Sequence, residues 1–313
     1  IWIVDDDESI RWVLEKALAR ENLATRSFSN VRDAVAALES GTPQVLVSDI
    51  RMPGRDGFHL LDYARAADPD LPVILLTGEG DIPMAVKAMG QGAFGLSTGL
   101  LYLPGTYSNI DEVIALAQVA SDSGGIYTSH LRKEGIGLLD GVGEALEIGR
   151  RAHIPVVLTH HKAVGQQMWG KSAITLAMVD SARKAGTDVM IDQYPYTATH
   201  TGIGVLVPSW AQAGGDAEFR KRLAVPAIKD SIKRGIIDNI LNDRGGGDLA
   251  RVQFSRVAWD KSLEGKTLKD WATRRKLAPT PENGAALVLE AMLNGGGNAI
   301  YHVLDEQDVR RIM

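Results

Sequence analysis

Short β-branched runs alternate with helix-period stretches along the chain as far as residue 194. Apolar segments of strand character stand at 1–4, 24–28, 44–48, 72–77, 95–103, 125–130, 154–160 and 188–194. Between them, apolar residues recur at helical spacing in 9–20, 31–38, 58–67, 83–89, 110–120, 143–152 and 172–185. Strand, helix, strand repeated this often predicts an α/β fold, with parallel sheet and crossover helices. From Gly202 onward the rhythm breaks into helical and loop segments. Two triple-glycine loops there, 245–247 and 295–297, read as turns, because no strand-to-helix context surrounds them.

The length, 313 residues, accommodates one large α/β domain or two ordinary ones. A net charge of −5 supplies no basic field for nucleic acid or acidic lipid, so neither is expected as a partner. The absence of cysteine excludes disulfides and thiolate ligands and fits a reducing compartment. No apolar run reaches membrane-spanning length, and "IWIVDDDESI" lacks the charged-then-apolar pattern of a leader. A cytoplasmic location is the expectation.

Acidic residues mark the first candidate site. "IWIVDDDES" sets Asp5, Asp6 and Asp7 at the end of an apolar strand, and "VLVSDIRMPGRDG" sets Asp49 at the end of another. Adjacent parallel strands deliver such residues to one sheet edge, where the carboxylates repel unless a hard cation such as Mg²⁺ sits among them. Asp49 is then a carboxylate nucleophile for a phosphoryl group, and Thr77, ending "VILLT", a hydroxyl for the bound group. Taken singly, Asp5–Asp7 read as helix caps and Asp49 as a turn residue.

Taken together, "VDDDESIRWVLEKAL", "SDIRMPGRDG", "LPVILLTGEGD" and "GQGAF", in order over residues 1–94, resemble the receiver domain of bacterial response regulators, in its nitrogen-regulation subgroup. The resemblance implies a flavodoxin-like fold with Asp49 as phosphoacceptor. It implies Mg²⁺ bound by Asp5, Asp6, Asp49 and the main-chain carbonyl of Arg51, with Asp7 as a further candidate, and Thr77 as the switch hydroxyl. It further implies a histidine kinase or small phosphodonor as partner. Receivers carry a lysine after the fifth strand; here that position falls on Gly99, or on Gly105 if an insertion is allowed.

Histidines mark the second. "GGIYTSHLRKEG" and "IPVVLTHHKAVG" each end an apolar strand in histidine, His130 and His160, 30 residues apart. One strand–helix–strand unit fits that gap, so the two imidazoles emerge side by side, a geometry suited to Zn²⁺. The alternative is a pair of hydrogen-bonded core histidines. From "GAFGLSTGLLYLPGTYS" through "VVLTHHKAVGQQMWGKS" and "DQYPYTATHTG" onward, the chain resembles the D-aminoacylases, N-acyl-D-amino-acid deacylases of the amidohydrolase superfamily. The resemblance implies part of a (β/α)₈ barrel, zinc on His130 and His160, and Lys162 and Tyr194 toward the N-acyl-D-amino acid substrate. The family's His-x-His pair and cysteine ligand are absent, and the Ser-Asp carrying its general base is expected just beyond "DEQDVRRIM". Zinc binding is therefore expected to be weak or absent, and the deacylase inactive.

A third pattern, "GQQMWGKS" at 165–172, has the spacing of a nucleotide-binding loop between a strand and a helix, with Asp192 ending a following strand. Its Gln-Gln-Met-Trp crowds a place where small residues suit phosphates. The sequence thus reads as a chimera joined within 90–95: receiver-like 1–94, half of an amidohydrolase barrel at 95–207, and a mostly helical part at 208–313. Four receiver strands and four barrel strands make the eight that close a barrel. A hybrid (β/α)₈-like barrel is one expected arrangement, and a receiver sheet beside a half-barrel the other.

Overall fold

The computed structural model describes residues 1–20, 22–76 and 82–313, except a few helical side chains. The chain divides into two compact units, Ile1–Gly95 with Asp122–Gly125, and Leu96–Ser121 with Ile126–Met313.

In the first unit the elements run β1 (Trp2–Val4), α1 (Glu8–Arg20), β2 (Arg26–Phe28), α2 (Val31–Leu38), β3 (Leu46–Asp49), α3 (Gly57–Ala67), β4 (Val73–Leu76) and α4 (Ile82–Gly90). The strands form a parallel sheet in the order β2-β1-β3-β4. Val4 pairs with Ser48, so the next residues, Asp5 and Asp49, leave the same edge side by side. Val4, Leu46, Leu60 and Ala64 lie in one core beneath the sheet, and Ile50, Phe58 and Leu61 form another cluster. Asn30 and Asp56 cap α2 and α3, each accepting a backbone N–H at 2.9 Å.

The second unit continues with β5 (Gly95–Gly99), α5 (Ile110–Asp122), β6 (Ile126–His130), α6 (Leu138–Ala152), β7 (Val156–His161), α7 (Ser172–Lys184) and β8 (Val189–Gln193). Its sheet has the order β5-β6-β7-β8. The pairing of β6, β7 and β8 is parallel, and β5 is hydrogen-bonded to β6. Leu138, Val142, Ala145, Ile148 and Ala152 form the buried stripe of α6 at helical period. Observed strands are shorter than the apolar runs by one to four residues, because loop apolar residues extend the pattern without extending the ladder.

Beyond β8 come β9 (Thr199–Gly202), α8 (Ser209–Gln212), α9 (Gly215–Leu223), α10 (Pro226–Asp238), β10 (Val252–Arg256), α11 (Leu268–Arg274), α12 (Pro281–Leu293), β11 (Asn298–Tyr301) and α13 (Glu306–Ile312). Here the structure adds what the sequence pattern left as helix and loop. The strands β10, β11 and β9 form an antiparallel sheet in that order. Phe254 and Tyr301 from it join Ile203, Trp271 and Val288 in a large buried core. Among the described residues, no helix is long and apolar enough to cross a membrane.

Candidate functional sites

Asp5, Asp6 and Asp49 converge at the sheet edge of the first unit, each with a carboxylate oxygen within 4.8 Å of the others. The Asp7 amide donates to Asp5 Oδ1 and the Ile50 amide to Asp49 Oδ1, both at 2.8 Å. Burial raises the pKa of Asp5, and the charges of Asp49, Asp6 and Asp7 add to the rise against the Asp7 amide. Burial likewise raises Asp49, helped by Asp6 and opposed by the amides of Ile50 and Arg51. Two carboxylates whose ionisation is disfavoured, beside a third that is exposed, form an oxygen donor set short of positive charge. Gly57 lets the start of α3 lie against the Asp49 backbone: a Cβ there would lie 2.2 Å from the Asp49 carbonyl oxygen. Asp7 is exposed, outside the trio. Thr77 lies outside the described residues. At the two registers of the absent lysine, Gly99 ends β5 and Gly105 begins a one-turn helix, Gly105–Tyr107.

The second unit brings His130, His160, Lys162 and Tyr194 to one cavity of about 120 Å³. His130 ends β6, and its ring lies 4.4 Å from that of His160, centroid to centroid. The β7–β8 register shifts between Leu158 and His161, and His160 there has φ +42°, a strained value for a non-glycine residue. The His160 amide donates to the Asp192 carboxylate, which holds that turn. His161, its neighbour, is directed away: it is buried with Nε2 2.8 Å from Thr175 Oγ1, and burial lowers its pKa to about 4.

Glu134 was not singled out by sequence reasoning, yet it sits at the centre. It is 4% exposed, four residues past His130, with Oε2 3.5 Å from His130 Nε2 and Oε1 3.3 Å from His160 Nδ1. Lys162, 5% exposed, places Nζ 2.5 Å from Glu134 Oε1, and donates to His160 Nδ1 at 2.7 Å and the His160 carbonyl at 2.8 Å. Burial alone raises the Glu134 pKa. The approach of both histidines and the Lys162 charge outweigh it and hold the carboxyl well below its ordinary range. Burial lowers the Lys162 pKa, and the Glu134 charge opposes that. The Lys162 ammonium also lies 4.7 Å from the centre of the Tyr194 ring. Arg244, buried and far along the chain, lines the same cavity and had no local signal in sequence. Zinc does not fit these residues as they stand, because the His160 Nδ1 lone pair accepts a hydrogen bond from an ammonium group. His130 Nε2, in contrast, is buried and makes no hydrogen bond.

The nucleotide-like loop at 165–172 is filled from within. Its Gly170 and Ser172 amides, at the start of α7, donate to the Asp308 carboxylate at 2.7 and 3.3 Å. Arg311 also donates to that carboxylate, at 2.9 Å. The anion that such a helix terminus favours is therefore a side chain of this protein.

Comparison with known proteins finds relatives of two kinds. The family described as response regulator receiver domain matches residues 1–97. The DNA-binding transcriptional regulator NtrC of Salmonella typhimurium is 50% identical over 120 residues, which is 38% of this chain and 24% of that protein. An N-acyl-D-glutamate deacylase of Alcaligenes xylosoxydans xylosoxydans is 45% identical over 184 residues, 59% of this chain and 36% of that protein. A solved structure of N-acyl-D-glutamate deacylase from Bordetella bronchiseptica, complexed with zinc and a phosphonate inhibitor, superposes with a TM-score of 0.57 at 27% identity. That superposition covers 91% of this chain and 49% of the other. The chain thus spans 24% and 36% of the two curated relatives' lengths.

Proposed function

We propose that this chain, a receiver domain fused to a D-aminoacylase-like amidohydrolase region, accepts phosphoryl groups on Asp49 and does not turn over N-acyl-D-amino acids. The observation carrying this reading is the convergence of the Asp5, Asp6 and Asp49 carboxylates within 4.8 Å of one another. An all-oxygen donor set suits Mg²⁺. Asp5, Asp6, Asp49 and the main-chain carbonyl of Arg51 would hold that ion, which when bound offsets charge on the phosphoryl oxygens.

A carboxylate oxygen of Asp49 attacks the phosphorus of a histidine kinase's phosphohistidine or of a small phosphodonor. A phosphorus–oxygen bond to Asp49 forms, the bond to the donor's nitrogen or oxygen breaks, and the leaving group keeps the electron pair. Thr77 supplies a hydroxyl to the bound group. Exchange with a kinase of this type fits a cytoplasmic location.

Incubation with acetyl phosphate and Mg²⁺ is expected to label the chain once, with the label lost in Asp49→Asn and on chelation of the metal. Label that survives in Asp49→Asn overturns the assignment.

A zinc amidohydrolase is the second reading, favoured by the grouping of His130, Glu134 and His160 within 4.8 Å. His130 and His160 would be its zinc ligands, with Lys162 and Tyr194 toward the N-acyl-D-amino acid. Two imidazoles without a cysteine or a His-x-His pair among the residues present hold zinc weakly or not at all. Lys162 further engages one of the two. Nucleotide binding at 165–172 has less support, since Asp308 already takes the loop's amides.

A further inference from the structure

We infer that Lys162 is the resident cation of the pocket formed by His130, Glu134 and His160, and that removing its charge uncovers a three-donor metal site made of those residues. This inference rests on the reading that His130 and His160 hold zinc weakly or not at all in the chain as it stands.

The ammonium group has three N–H donors, and the structure supplies three acceptors: Glu134 Oε1 at 2.5 Å, His160 Nδ1 at 2.7 Å and the His160 carbonyl at 2.8 Å. Lys162 and Glu134 are 5% and 4% exposed, so water does not screen the pair. A charge so placed does what a metal ion does in such a pocket: it neutralises the carboxylate and fixes the histidine ring.

The spacing of the donors fits an ion. A tetrahedral ion about 2.1 Å from each ligand sets those ligands about 3.4 Å apart. Glu134 Oε1 stands 3.3 Å from His160 Nδ1, and Glu134 Oε2 stands 3.5 Å from His130 Nε2. His130 Nε2 is buried and makes no hydrogen bond, its approach to Glu134 Oε2 being 3.5 Å, so Lys162 does not engage that donor. What stands in the way is a positive charge within hydrogen-bond distance of the other two. A divalent cation sharing that space is repelled by the ammonium and finds the His160 Nδ1 lone pair in use.

Lys162→Met removes the charge and keeps much of the chain's volume. Lys162→Gln removes it and keeps a hydrogen-bond donor for Glu134. Co²⁺ titration of the whole protein, followed by its visible absorption, reads donor number and geometry without reference to turnover. Zn²⁺ competition then gives affinity.

Both variants are expected to bind at least tenfold more tightly than the unsubstituted chain, and the gain is expected to vanish when Glu134→Gln is added. A folded variant, checked by circular dichroism and melting, that gains nothing overturns the inference and leaves the reading beneath it standing. Tight Co²⁺ binding by the unsubstituted chain overturns that reading itself. If both variants unfold without metal, refolding on Zn²⁺ supports the site and failure to refold counts against it.

Discussion

Glu134 is buried as an anion, and its pairing with Lys162 is a stability element as well as a site feature. Replacing one member of a buried pair leaves the other charged and uncompensated, at about 3–5 kcal/mol. Glu134→Gln is therefore expected to lower the unfolding free energy of the unit that contains it by that amount, read from denaturant unfolding. A loss under 1 kcal/mol at neutral pH counts against the pair. The pH dependence has a definite sign. The folded pKa of Glu134 lies well below its ordinary 4.5, so its stabilisation is present above 4.5 and is lost as pH falls through the folded value. Glu134→Gln flattens that acid limb. At this scale strand-end position pointed to His130 and His160 and the family resemblance to Lys162, but neither pointed to Glu134. Within "HLRKEG" its letters read as a solvated charge run, and only the adjacency of β6 and β7 puts the lysine following one on the glutamate following the other.

The β3–α3 connection packs directly against the backbone of Asp49. Gly57 opens α3 against the carbonyl of Asp49, where a methyl group has 2.2 Å of room. Gly57→Ala must push that backbone aside, an overpacking worth about 1–3 kcal/mol. It is expected to lower both thermal stability and acetyl-phosphate labelling. Unchanged labelling with lowered stability places the contact outside the site's geometry. Helices and parallel strands up to β8 were legible because each repeats one short local pattern. The β10-β11-β9 sheet was not: its strands are short, and Thr199 pairs with Tyr301 across about a hundred residues. Antiparallel pairing between such distant segments leaves no period in the chain. The bulge at His160 was equally silent, since its positive φ falls on a residue whose letters predict an unbroken strand.

Across the whole chain, the acidic cluster is expected to make stability depend on both pH and divalent cation. Asp5 and Asp49 have folded pKa values raised above the ordinary 3.8, so the folded chain keeps protons that the unfolded chain has released. Without a cation, their contribution is best at low pH and declines as pH rises from about 3.8 through the raised values. This opposes the Glu134 trend. Millimolar Mg²⁺ at neutral pH is expected to raise the melting temperature by mass action, and Asp49→Asn to abolish the rise. A melting temperature indifferent to Mg²⁺ removes the cation from the site.

Sequence by itself determined the α/β class and which strand ends carry aspartate or histidine, because these follow from local periodicity and residue order. Tertiary structure alone decided that Glu134 and Lys162 meet on His160 and that Asp308 occupies the nucleotide-like loop. Those outcomes rest on distances between residues far apart in the chain, which strand register and helix packing set and which no local pattern encodes.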